Sequence, residues 1–295
     1  MSTVDRVAQS LAPTRQLRRR KIVGRAAEAS MFLAALTAVF VLAAVVWAVA
    51  SRGYTALTID FFTQVPAVFG ESGGGIANAI VGSIVIVGFA TLFSVPLGIL
   101  VAIYTSEFAG REVRRWVGLA LDLLNGMPSI VIGIFVYVLL IIGNQQSAFA
   151  ASAALAIIML PLVARSTQEV LALVPGSLRE ASSALGVSRW RTVLGVILPA
   201  SLGGILTGAT LAVARAAGET APLLFTSSLT TNTVSWDPHQ ALQSLPLQIF
   251  EYLESPDPAD HARAWAAALL LMTFVLMVSA LSKLFLARQR RKLSR

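Results

Sequence analysis

The chain has no cysteine among its 295 residues, so it has no disulfide, no thiol nucleophile and no thiolate ligand. It has only two histidines, His239 and His261, in one stretch between apolar runs. That leaves no Cys/His metal set. It lacks a Gly-x-x-x-x-Gly-Lys-Ser/Thr segment, so it has no phosphate-cradling loop with which to hydrolyse ATP itself. Charge is scarce too. Only 13% of residues are Asp, Glu, Lys or Arg, about half the ~25% usual in a soluble domain. No long polar block lies outside the connecting loops, so no second, soluble domain is expected.

What remains is apolar. The chain is 56% hydrophobic, with a mean hydropathy of +0.75. Six runs approach or exceed the roughly 20 residues that a membrane-crossing helix needs: 29–50, 76–106, 117–142, 149–164, 202–227 and 264–286. The first is too long for a signal-peptide core and lacks a cleavage site, so 29–51 reads as the first transmembrane helix after a mobile basic tail, 1–28. Residues 76–287 read as the transmembrane core, and 288–295 as a second basic tail. Pro96, the segment 125–129 and Pro161 predict a kink, an interruption and a break. The stretches 52–75 and 228–263 read as outer loops; the second contacts a partner or is simply solvated.

The net charge of +8 does not point to nucleic acid, because the basic residues flank the apolar runs. Lys and Arg gather in the tails and the inner loops, whereas the outer loops hold only Arg52 and Arg263. Asp60, Glu71, Asp237, Glu251, Glu254, Asp257 and Asp260 fall outside. By the positive-inside rule both termini are cytoplasmic.

Residues 175–199 form a polar stretch between the fourth and fifth runs. Ser177 with Glu180 three residues on predicts a capping box, and Gly186 predicts the end of a short helix with a small apolar face. Patterning alone fits an ordinary interfacial loop. The spacing says more. Glu180-Ala181-Ser182, three residues, Gly186, nine residues, then Val196-Ile197-Leu198-Pro199 resembles the EAA loop of binding-protein-dependent ABC importer permeases, with Ser182 and Val196 replacing Ala and Ile.

Neighbouring segments narrow the resemblance. Val95-Pro96-Leu97-Gly98, Gly126-Met127-Pro128-Ser129, Leu160-Pro161 with Arg165, and Arg215 followed by Gly218-Glu219-Thr220-Ala221-Pro222-Leu223 look like the permeases of high-affinity phosphate importers, the PstA branch more than the PstC branch. The resemblance covers about 76–285. It implies an all-α membrane protein with six transmembrane helices and the type I importer (MetI-like) permease fold, in the bacterial inner membrane. It implies coupling to an ATPase through 175–199, with Glu180, Ala181, Gly186 and Pro199 as the motif positions. It implies a PstC-like second permease, a PstB-like ATPase dimer that uses ATP and magnesium, and a PstS-like phosphate-binding protein. The chain itself is then a non-catalytic subunit that binds no cofactor.

Read as chemistry, an anion crossing a low-dielectric passage needs positive charge and donors. Arg suits phosphate, being permanently charged and able to form forked bonds. Arg215 is the main candidate, with Glu219 four residues on to hold the guanidinium or accept a bond from protonated phosphate, and Thr220 as a hydroxyl donor. Asn125, Ser129 and Arg165 are further pathway candidates, Arg165 alternatively pairing with Glu169 at the inner surface. Asp122 reads as solvated, and Asn78, Ser83, Thr91 and Ser94 as bonding between helices. Arg215 and Glu219 could instead form a structural ion pair. The open alternatives are a PstC-type permease, a permease for sulfate or molybdate, and a membrane-embedded enzyme or sensor.

Overall fold

The computed structural model describes residues 15–67, 73–228 and 233–293, with side chains between 19 and 284. The extreme tails, Gly70 and Glu71 lie outside that description. Nearly all of it is helix. Among the described residues five helices are long and apolar enough to cross a membrane, or six if one bent pair counts as a span. The chain divides into two units, one ending at Ser51 and one beginning at Arg52.

The first unit is built on α1 (Arg15–Gly53). It starts well inside the tail expected to be mobile, because Arg, Gln, Leu and Lys between 15 and 21 are good helix formers.

In the second unit, the short α2 (Ile59–Thr63) is capped by Thr58, whose hydroxyl accepts from the Phe61 amide. Next, α3 (Ala77–Ile103) runs unbroken through Pro96 and ends in a π turn, Tyr104–Phe108. The third apolar run is not one rod. α4 (Arg111–Gly126) meets α5 (Ser129–Val136) and its π turn at 99°. The Met127-Pro128 junction is extended, as the residue before a proline prefers. α6 (Ala148–Ala172) is capped by Ser147 and passes Pro161 without the expected break. One missing amide bond is tolerated where neighbouring helices hold the backbone, and Pro161 is buried.

α7 (Gly176–Ala184) follows, then α8 (Arg189–Thr192) and a π turn, Val193–Ile197, directly before Pro199. α9 (Leu198–Ala216) is the fifth span. It stops eleven residues short of the expected 227, at a turn over Ala217–Pro222, before α10 (Leu223–Thr226). The long outer stretch also differs from expectation. It contains α11 (Leu245–Glu254), with Leu247 and Gln248 fully buried, and the start of α12 (Pro258–Leu293).

The core lies where α3 and α6 cross. Ile86 and Ala90 pack with Ala151, Leu155, Met159 and Val163, and with Ala212 and Ala216 of α9. Small residues set the spacing. A Cβ on Gly204 would sit 2.6 Å from a methyl of Val170, and one on Gly208 would strike Ser166. These contacts join α9 to α6 antiparallel and in close approach, as small-residue pairs allow in membranes.

Candidate functional site

The α9–α6 register fixes the depth of Arg215. Gly204 lies against Val170 and Gly208 against Ser166. Continuing that pairing at one turn per step brings Arg215 beside Ile158 and Leu162, the middle of α6. The structure has a cavity of about 260 Å³ there, lined by Leu124, Asn125, Met127, Pro128, Ser129, Ile132, Ile158, Leu162, Arg215 and Glu219. Four of the six pathway candidates therefore converge: Arg215, Glu219, Asn125 and Ser129.

Broken helices build the walls. The 99° bend turns the start of α5 toward the cavity, so Pro128, Ser129 and Ile132 line it. A helix start carries the positive end of the macrodipole and amides without intrahelical partners. On the facing wall α9 ends, and Glu219 is in the turn beyond it. Arg215 and Glu219 thus pair across a helix end, not along one helical face. Arg215 Nε lies 3.7 Å from Glu219 Oε1, with side chains 58% and 19% exposed. At that distance the guanidinium is near its carboxylate without being closed around it, and more than half of the Arg215 side chain is exposed. A guanidinium, a helix start, an amide and a hydroxyl beside one acceptor carboxylate suit a tetrahedral oxyanion that still carries a proton.

Two candidates lie elsewhere. Thr220 does not line the cavity; its carbonyl accepts from the Leu223 and Leu224 amides and starts α10. Arg165 does not pair with Glu169. Its Nη2 reaches Asp122 Oδ1 at 2.5 Å and the Gly118 carbonyl at 2.7 Å, and its Nη1 donates to Gln168. The order Arg-then-Glu at this spacing is the weaker one on a helix, and Asp122 on α4 is within reach. Asp122 is therefore paired, although 67% exposed.

The 175–199 stretch forms the expected short helix but starts differently. Ser177 makes no cap bond; Pro175 occupies the cap position and the helix begins at Gly176. Proline ahead of the first turn presets the backbone and leaves Ser177 inside it. Its end is as read. Gly186 has φ +71°, its amide bonds the Ser183 carbonyl, and the Val187 amide bonds that of Ser182, the two bonds of a Schellman cap. Glu180, Ala181, Gly186 and Pro199 are all exposed, and Leu185 is 82% exposed, so the helix presents an open face with an apolar tip.

The chain resembles known proteins over most of its length. Residues 94–291 match the family model described as binding-protein-dependent transport system inner membrane component. The chain is 39% identical to the phosphate transport system permease protein PstA of Haemophilus influenzae, over 86% of this chain and 90% of that one. It is 38% identical to PstA 1 of Mycobacterium tuberculosis, over 93% and 92%. The chain belongs to the PstA permease family. Solved structures support the MetI-like fold alone. The MetNI methionine transporter matches at TM-score 0.57 and 20% identity, over 72% of this chain and 93% of that one. A bacterial alginate transporter matches at 0.60 and 14%, over 89% and 94%.

Beyond the motifs of the PstA family, sequence reading missed two polar clusters. At the end of α3 next to α7, Glu107 is buried against Arg179. At the other end, Asn78 donates to Gln243, and Gln243 and Gln248 both donate to Glu251. Burial pushes the Glu251 carboxyl above its ordinary value of 4.5; the Gln243 bond opposes this and Asp260 adds to it. The charge imbalance of the outer stretch was legible, but its fold back onto α3 was not.

Proposed function

We infer that the chain is the permease subunit of an ATP-driven phosphate importer in the bacterial inner membrane, forming half of the translocation pathway. The observation that carries this is the mid-depth cavity in which Arg215, Asn125, Ser129 and the α5 start face one another beside Glu219. Sites of this kind, at broken helices near the middle of the bilayer, suit anionic substrates. A PstC-like permease supplies the other half. A PstS-like protein delivers phosphate from outside, and a PstB-like ATPase dimer grips the exposed face of α7 through Glu180, Ala181 and Gly186. ATP and magnesium belong to that dimer. The excess of Lys and Arg in the tails and inner loops supports cytoplasmic termini.

The test is reconstitution of the whole complex in liposomes. Phosphate uptake that requires ATP and the binding protein, and that excess sulfate or molybdate does not displace, is the expected result. Uptake of sulfate or molybdate in preference to phosphate would assign the chain to another oxyanion. Absence of any ATP-dependent anion uptake would overturn the reading.

A further inference from the structure

Glu107 is 7% exposed at the π turn that ends α3, and such a carboxylate needs compensation. Arg179, on the coupling helix α7, supplies it. Its Nη2 donates to Glu107 Oε1 at 2.7 Å, and its Nε lies 3.3 Å from both carboxylate oxygens. The same guanidinium donates from Nη1 to the Val174 carbonyl at 2.8 Å and from Nη2 to the Leu171 carbonyl at 3.0 Å. One side chain thus ties the coupling helix to the inner ends of α3 and α6. A second set of bonds continues from there. Gln168 on α6 donates to the Thr105 hydroxyl at 2.7 Å, and Arg165 holds Gln168 and Asp122 together. Asp122 is one turn before Asn125, on the cavity wall.

We propose that Arg179 and Glu107 are the positioning residues through which movement of the coupling helix is transmitted to the pathway, so that α7 and the inner ends of α3 and α6 move as one body. This rests on the function proposed above. A rigid tie is required because a short helix of nine residues, joined to the spans only by extended Pro175 and by Gly186, would otherwise swing without moving them. Arg suits the task better than Lys, since only a forked donor serves one carboxylate and two carbonyls together.

Glu107→Gln and Arg179→Lys, in the assembled four-component complex, test this. The expected result is intact assembly and near-normal basal ATP hydrolysis. Stimulation by the loaded binding protein, and uptake with it, should fall roughly tenfold, within the span typical of coupling between sites. Because the chain has no native cysteine, Glu107→Cys with Arg179→Cys can be bridged by a short bifunctional thiol reagent. Bridging should restore stimulation that the unbridged double variant lacks. Unchanged stimulation in both single variants would overturn the proposal. So would loss of assembly in both, or a bridged variant as uncoupled as the unbridged one. Because the wild-type complex is assayed alongside, absence of phosphate uptake there would count against the function and not against the tie.

Discussion

Among the described residues two Arg–Glu pairs occur, and they are built in opposite ways. Arg179 and Glu107 are 2.7 Å apart, with the carboxylate 7% exposed and the guanidinium's other donors spent on carbonyls. Arg215 and Glu219 are 3.7 Å apart, with the Arg215 side chain 58% exposed and lining a cavity. The first has four of its five donors engaged, which suits the fastening proposed for it. The second lines the cavity, which suits the receptor role proposed for it. The same residue types sit in different surroundings because one pair lies where three chain segments meet and the other at a helix end over a void.

The largest expected effect comes from emptying the receptor. Arg215→Gln should leave the complex assembled, and should leave ATP hydrolysis responsive to the loaded binding protein, yet reduce uptake by about tenfold or more, since a charged contact contributes about 1.5–3 kcal/mol. If uptake and assembly fail together, the Arg215 pair is a fastening as well and the contrast disappears. Next in size is the close approach that sets the depth of the cavity. Gly204→Leu would drive a branched side chain into Val170; overpacking costs about 1–3 kcal/mol, read as a lower unfolding temperature and a lower yield of complex.

Glu219→Gln sharpens the receptor side. It keeps shape but weakens the acceptor for a protonated oxyanion. Phosphate-over-sulfate preference should narrow several-fold in a competition assay, and an unchanged preference would remove Glu219 from selectivity. A smaller effect separates the outer cluster from both pairs. The Glu251 carboxyl is raised from 4.5 by burial, so its ionised form is the less favoured one in the fold. That cost is full at pH values above the raised value and fades as pH falls toward 4.5. Amide exchange across 245–254 should therefore slow as pH is lowered, after correction for intrinsic rates, and Glu251→Gln should flatten the trend. The smallest effect belongs to Asp122→Asn. Its carboxylate is 67% exposed, so the loss should be about 0–1 kcal/mol of stability.

The cavity was half legible from sequence. Arg215, Glu219, Asn125 and Ser129 are polar residues in or beside apolar runs, and such residues mark function because hydrocarbon penalises them. Thr220 and Arg165 carried the same signal and went elsewhere: the Thr220 carbonyl accepts the first amides of α10, and Arg165 reaches across to Asp122 and the Gly118 carbonyl. The Ser177 cap failed for a related reason: Pro175 and Gly176 had already fixed where α7 begins. Pro128 and Pro161 looked alike as letters. One coincides with a 99° bend and the other lies within a continuous helix, because only the second is buried against neighbours that hold its backbone in line.

By itself the sequence determined the number of apolar segments and the short helix after Pro175 with its glycine stop. These depend on the composition of single segments, their length against the bilayer and local backbone freedom. Only the tertiary structure decided which arginine is held shut and which is left open. That depends on how closely Gly204 and Gly208 let two helices approach, where α9 stops, and which carboxylate comes within reach, and all three depend on side chains distant in the chain.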